Sequence, residues 1–284
     1  MTDVLGYRTF VSPPIPVVGA GTVPNGDPRM FSPITTTLIT GAGAAVLVDP
    51  PLTIAQAAAV GDWIESSGKE LQAIYVTHGH ADHWFGSAPL IERFPGITIF
   101  AMPGTIGEMK MHATATFRAA LWDKQFPGQL PDTDAVRPVV PPAGRLELEG
   151  QELIAVEVGH TDTEETTALH VPSIGLLVAG DVVYNNVHQY LREADGDGIE
   201  QWLAALDTVE ALRPRRVVCG HKDVSKPDDP RTIDETRQYL VDAQKRLAQQ
   251  PTDLEFFDAM LADYPTRLNP GALWSSAVAL LGDP

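Results

Sequence analysis

The chain has 284 residues with an ordinary 44% apolar content, enough to bury a core in one large domain or two small ones. Its 20 basic against 37 acidic residues leave a formal charge of −17, which repels nucleic-acid phosphates and argues against a nuclease. Cys219 is the single cysteine, so an intrachain disulfide is excluded and a reducing compartment is expected.

Met1 to Ser12 lacks the basic start and apolar run of a secretory leader. No apolar stretch approaches the ~20 residues that span a bilayer. The expectation is a soluble, cytoplasmic protein without a membrane partner. Residues 1–33 are dominated by turn formers, Ser12-Pro13-Pro14, Pro16 and Pro24-Asn25-Gly26-Asp27-Pro28, with Asn25-Gly26 as a hairpin-type turn. Ile34–Thr40 and Ala44–Val48 read as paired strands around Gly41-Ala42-Gly43, and Asp49 closes the second. Thr53 and Gln56 have capping-box spacing for a helix to about Ser67, with Ile54, Ala57, Ala58, Gly61 and Ile64 on its apolar face.

Leu71–Val76 reads as a buried strand and Trp84–Phe94 as a helix. Ile97–Ala101 is a further strand. Thr105 and Glu108 repeat the capping-box spacing before a helical segment to about Lys124, with Met109, Ala113, Phe117, Ala120 and Leu121 at helical spacing. Phe126 to Pro142 is Pro-rich and loop-like. Strands follow at Leu146–Leu148, Leu153–Val158, Thr167–Val171, Gly175–Ala179 and Arg215–Cys219, with an amphipathic helix over Ile199–Leu212 stopped at Pro214. Cys219 reads as a buried apolar filler in the last strand. Thr232 with Glu235 is a third capping box, and Leu254–Asp263 and Leu273–Leu281 are apolar helices that cover the domain or make a homodimer contact.

Between the strand Leu71–Val76 and Trp84 lies Thr77-His78-Gly79-His80-Ala81-Asp82-His83. Three of the chain's eight histidines fall within six positions there, and imidazole is the commonest metal ligand. His78 and His80, two apart, can point to one side and grip one ion; Asp82 and His83, adjacent, diverge and can serve a second. His160, Asp181 and His221 each follow an apolar strand and a glycine, so the three can collect at one sheet edge beside the first motif. Tyr184, three past Asp181, can reach the same place.

The set His78-x-His80-x-Asp82-His83, His160, Asp181 and His221 resembles the metallo-β-lactamase fold superfamily, from about Thr35 to His221. That resemblance implies an αββα sandwich: two sheets face to face, helices outside, and two divalent metal ions at one edge. It assigns His78, His80 and His160 to the first metal, Asp82, His83 and His221 to the second, and Asp181 as the bridge. Asp49 matches an acidic residue that often supports a metal-binding histidine from behind. Insertions between the two halves commonly overhang the metals. Residues 104–142 are therefore expected as a lid, and residues 231–284 as C-terminal helices of one domain spanning 1–284. The lid carries the candidate substrate contacts Met111, His112, Phe117 and Trp122; Trp84 and His188 are further candidates. Each has core packing as its plain alternative.

The chemistry expected is metal-assisted hydrolysis of a small carbonyl substrate. Two cations ~3.5–4 Å apart share a water, lower its pKa to ≈ 7, and polarise the carbonyl it attacks. Asp82 is expected to move the proton and Tyr184 to bond the developing oxyanion. A tyrosine so placed resembles the arrangement in acyl-homoserine lactone hydrolases, which favours a lactone or ester, then a thioester. A β-lactamase-type amide hydrolase, a mononuclear iron sulfur dioxygenase and a metal-binding protein without turnover are the alternatives. The metal ligands are all nitrogen and oxygen and suit Zn2+, with Fe or Mn also compatible. Type II glyoxalases share these metal residues but bind glutathione with basic residues near the C-terminus, where this chain has only Arg267 after Arg246.

Overall fold

Alternation of apolar side chains sorts this chain into layers, seen here in a computed structural model that describes residues 5–282. In the first half the order is β1 (Gly6–Ser12), β2 (Ile15–Pro16), β3 (Met30–Phe31), β4 (Ile34–Thr40), β5 (Ala44–Val48), α1 (Ile54–Ser66), β6 (Glu70–Tyr75), α2 (Ser87–Arg93), β7 (Thr98–Phe100) and α3 (Pro103–Ala113). The one-turn helices α4 (Ala115–Phe117) and α5 (Asp123–Gln125) flank a π-helical turn at Arg118–Trp122. The second half runs β8 (Arg145–Leu148), β9 (Gln151–Gly159), β10 (Thr166–Val171), β11 (Leu176–Asn185), α6 (Gly198–Ala211), β12 (Arg216–Lys222), α7 (Arg231–Leu247), α8 (Asp253–Asp263) and α9 (Pro270–Leu281).

Ten of the strands make two mixed five-stranded sheets, ordered β1-β4-β5-β6-β7 and β12-β11-β10-β9-β8, and β2 and β3 pair as a separate two-stranded ribbon. Strands β5, β6 and β7 run parallel, with α1 and α2 as crossovers; β11 and β12 run parallel through α6. Along β5, Ala44, Val46 and Val48 join Leu148, Leu153 and Val178 between the sheets, whereas Ala45 and Leu47 pack with Val60 and Ile64 of α1. On the other side, Leu177, Ala179, Val217 and Cys219 pack under α6 to α9. This is the expected αββα sandwich. Burial pushes the Cys219 thiol up to about 12, in keeping with an apolar filler. Phe256, Phe257, Met260 and Leu273 of the C-terminal helices join that core, so these helices cover the second sheet.

Several local expectations differ. Strand β1 lies in the stretch read as turns; it is a half-buried edge strand whose apolar signal is weak, and its pairing with β4 makes it. The helix expected at Trp84 begins only at Ser87, because the Thr77–His83 loop first closes a tight turn with Trp84 N bonded to Ala81 O. Helix α3 starts at Pro103, and Thr105 spends its hydroxyl on the Glu165 carbonyl, so no capping box forms there. The segment to Lys124 is broken at Thr114, which has extended ψ (141°). At α7 the Thr232 hydroxyl bonds Asp229 O, again without a box. The box at Thr53 is present in full, and one at Thr252 and Glu255 opens α8.

Candidate metal centre and its cavity

The loop after β6 and three elements of the second sheet place their polar side chains together at one end of the sandwich. Asp49, at a left-handed φ of 53° just past β5, organises it. Its carboxylate accepts from Thr77 N (2.9 Å), from the Thr77 hydroxyl (2.7 Å) and from His83 Nδ1 (3.2 Å). Because the Thr77 proton goes to Asp49, Thr77 Oγ1 accepts from His78 Nδ1 at 3.0 Å. His221 Nδ1 donates to the Pro33 carbonyl at 2.7 Å. In all three rings the proton sits on Nδ1 and the Nε2 lone pair is left for another partner.

The free atoms converge. His78 Nε2 lies 3.6 Å and His80 Nδ1 2.8 Å from Asp162 Oδ2. His83 Nε2 is 3.4 Å from Asp82 Oδ2 and 3.3 Å from Asp181 Oδ1. His221 Nε2 is 3.0 Å from Asp181 Oδ2 and 3.5 Å from Asp82 Oδ2. Three overlapping groups could each hold a cation: His78, His80 and Asp162; His78, His83 and Asp181; and Asp82, His83 and His221. His78 Nε2, His83 Nε2 and Asp181 Oδ1 are buried without a hydrogen-bond partner. Such orphans are costly in a protein interior. Two divalent cations fit them: four positive charges would face three carboxylates and four neutral imidazoles.

The electrostatics of the side chains point the same way. Burial opposes charge on His80 and His83, yet Asp162 beside the first and Asp181 beside the second hold both pKa values well above the ordinary one. Burial and the His83 charge push His78 well below it. Burial opposes ionisation of Asp82, and His83 and His221 overcome it and keep the carboxylate ionised.

The glycines before Asp181 and His221 act differently from the strand-end turns expected. Strands β11 and β12 continue through both residues. A Cβ at Gly180 would meet Thr77 Oγ1 at 2.5 Å, and one at Gly220 would run into Asp181 Oδ1. These glycines let the two sheets close on the site. The β11–β12 register shifts between Gly180 and Tyr184, and this irregularity brings the Tyr184 hydroxyl onto Asp181 Oδ2 at 2.7 Å. Tyr184 is buried and packs on Trp202; it touches Asp181 where sequence reasoning placed it on the substrate.

His160 follows β9 as expected, but its ring lies outside the three groups. Its Nδ1 bonds Glu164 (3.0 Å), and its Nε2 is a buried orphan against Gly198, 2.9 Å from where a Cβ would sit. Asp162, two residues on, stands with His78 and His80 instead. Nothing in the Thr161–Thr166 stretch but its proximity to His160 signalled that residue. Glu193, after β11, was likewise not foreseen; it bonds His80 Nε2 at 3.1 Å and Thr163 at 2.8 Å.

A cavity of about 450 Å3 opens on the cluster, with His80, Asp82, Asp162, Asp181 and His221 on its floor and Ala120, Trp122 and Gln125 of the 104–142 segment in its wall. His112 and Trp122 line it, and the Trp122 indole donates to His112 Nδ1 at 3.2 Å. An indole only donates, so the His112 proton sits on Nε2. Phe117 braces His112, with ring centroids 4.3 Å apart. The other candidates are elsewhere. Met111 is exposed; Trp84 is buried with its indole on Gly79 O; His188 is buried with Nδ1 on the Tyr239 hydroxyl.

Comparison with known proteins gives the same picture. Residues 29–221 match the family described as "Metallo-beta-lactamase superfamily". A hydroxyacylglutathione hydrolase of Synechococcus sp. (strain JA-3-3Ab) is 30% identical over 179 residues, which are 63% of this chain and 58% of that relative. Among solved structures, a metallo-beta-lactamase family protein from Thermus thermophilus superposes with a TM-score of 0.63 at 21% identity, covering 95% of this chain and 91% of that one. A metallo-beta-lactamase from Pontibacter korlensis gives 0.56 at 17% identity, covering 84% and 96%. The two structures share the fold, and the family match spans every residue of the metal cluster: the chain belongs to the metallo-beta-lactamase superfamily.

Proposed function

We propose that the protein is a metal-dependent hydrolase of a small carbonyl substrate, a lactone or an ester, with a thioester next in line. One observation carries this: four histidines and three aspartates with converging donor atoms cluster at a ligand-sized cavity, and five of them, His80, Asp82, Asp162, Asp181 and His221, form its floor. His78, His80 and Asp162 would hold one cation, Asp82, His83 and His221 a second, with Asp181 between them. Zinc suits these donors, as do iron and manganese. Bound there, such cations supply Lewis-acid activation of water and of the carbonyl at neutral pH.

The chain's own groups supply the rest. Asp82, ionised and facing the cavity, takes the proton of the attacking water and passes it toward the leaving group. Burial, aided by His80, lowers the His112 pKa to about 3, so its neutral ring offers Nε2–H to the substrate oxygen. Tyr184 holds Asp181 in place. Residues 104–142 act as the lid that shapes the pocket.

A glutathione thioester is the second reading, favoured by the name of the Synechococcus relative. The C-terminal basic residues do not support it: Arg267 lies over the rings of Tyr239 and Tyr264 and bonds two backbone carbonyls, and Arg246 pairs with Asp263.

The test is acid release by pH-stat on a long-chain lactone, an aryl ester, an acyl thioester and a β-lactam, each with and without chelator. Chelator-sensitive turnover of the lactone or ester is expected. Turnover of the β-lactam alone would move the assignment to amide cleavage. Silence on all four, from protein shown to carry metal, would overturn it.

A further inference from the structure

The cavity has a second chemical feature, remote from the imidazoles. Six guanidiniums find a carboxylate among the described residues, those of Arg93, Arg118, Arg145, Arg231, Arg237 and Arg246. Arg29 and Arg192 line the cavity, and neither forms an ion pair among the described residues. Arg29 is partly buried, and its one side-chain hydrogen bond among the described residues is to the Ser275 hydroxyl (Nη2 to Oγ, 2.5 Å). Burial, and then the charge of Arg192, lower its pKa, so the two cations feel each other. Arg192 is exposed and well solvated, so Arg29, half-buried and without an ion pair, is the cation that an anion in the cavity would stabilise most.

The backbone that carries the pair is held in place. Arg29 N bonds Gly21 O and its carbonyl accepts from Val17 N, which fixes it on the turn before β3. Arg192 is flanked by two anchored neighbours: Leu191 N donates to Ser276 Oγ, and the Glu193 carboxylate is engaged by His80 and Thr163. Helix α9 begins at the same wall. Gly271 and Ala272 line the cavity, and a Cβ at Gly271 would fall 3.4 Å from Arg29 Cγ. The amide end of a helix adds positive potential to the two guanidiniums. Asn269, which precedes that end, holds a left-handed φ of 58° and bonds the Ser32 hydroxyl at 2.5 Å, so the end is fixed by its own strained turn.

We propose that Arg29 and Arg192, with the start of α9, form an anchor for a carboxylate carried by the substrate at the end remote from the scissile carbonyl. This inference rests on the hydrolase reading above and narrows its substrate to an acidic ester or lactone. A planar carboxylate matches the fork of a guanidinium, and a terminal phosphate is the other oxyanion that the test sets against it.

The test pairs monophenyl glutarate with phenyl valerate, esters of similar length that differ in the terminal carboxylate, and adds a phenyl ester with a terminal phosphate. Wild-type protein should favour the glutarate ester in kcat/KM. The preference should fall about 10- to 100-fold in Arg29→Gln and in Arg192→Gln, through KM. Arg29→Lys should restore part of it. A wild type that prefers the neutral or phosphorylated ester overturns the carboxylate anchor and leaves the hydrolase standing. Calorimetry with free glutarate separates the two ideas if no ester is cleaved. Binding weakened by either substitution supports the anchor while hydrolysis fails; equal binding to wild type and to the Arg29→Gln/Arg192→Gln double variant removes it.

Discussion

Tyr184 donates its phenolic hydrogen to Asp181 across 2.7 Å, both residues lying on the one strand β11. The bond spans a register irregularity and fixes the carboxylate that stands between the two candidate cation sites. Burial comes first, and the Asp181 charge second, in holding the phenol well above its ordinary pKa, so it stays a donor. Tyr184→Phe keeps the ring and removes the bond. We expect kcat to fall about tenfold with metal retained, as for one hydrogen bond to a charged group. Metal analysis and steady-state rates on the same preparation check this; an unchanged kcat would make Tyr184 a packing residue.

Asp49 orients His83 directly and His78 through Thr77. Asp49→Ala should therefore weaken cation binding about 10- to 100-fold, the usual cost of removing the support of a metal-binding histidine. Competition with a coloured chelator measures the affinity. Retention of wild-type affinity would reduce Asp49 to a turn residue.

His80→Ala should lose at least one of two metal equivalents together with turnover. His160 and Asp162 call for a paired measurement, since Asp162 stands with His78 and His80 whereas the His160 ring lies outside the three groups. We expect Asp162→Asn to release metal and His160→Gln to keep it, read by elemental analysis after gel filtration. A variant that keeps its full complement would show that residue to be structural.

His188 provides a pH prediction away from the metals. Burial first, and the Arg267 charge second, lower its pKa to about 3, against roughly 6.5 for an unfolded chain. Between these values the unfolded state binds a proton that the folded state refuses, so stability is full above pH ~6.5 and falls as pH drops toward 3. The loss is on the order of 4 kcal/mol across that window. Urea unfolding of wild type and His188→Phe at pH 7 and pH 4.5 checks the sign: the variant should lose less on acidification. Its KM should be close to that of wild type, because His188 faces Tyr239 and not the cavity.

Much of this site was readable from the chain. Strands Ile34–Thr40 and Ala44–Val48 lie where apolar patterning placed them, and the Thr77–His83 loop follows its buried strand. Local spacing carries such features. Asp162, Glu193, Arg29 and Arg192 were not readable, because each sits in a loop whose position is set by packing against distant elements. The helix starts at Thr105 and Thr232 failed for a related reason: both hydroxyls found carbonyl partners other than the helix amides.

The donor groups come from both halves of the sandwich. His78, His80, Asp82 and His83 follow β6 of the first sheet, whereas Asp162, Asp181 and His221 belong to the second. A cation gripped by both is a staple across the seam, and folding becomes linked to the free metal concentration. Each cation adds about 2.7 kcal/mol when free metal is a hundred times its dissociation constant. Metal starvation would then lower the chain's resistance to proteolysis along with its turnover.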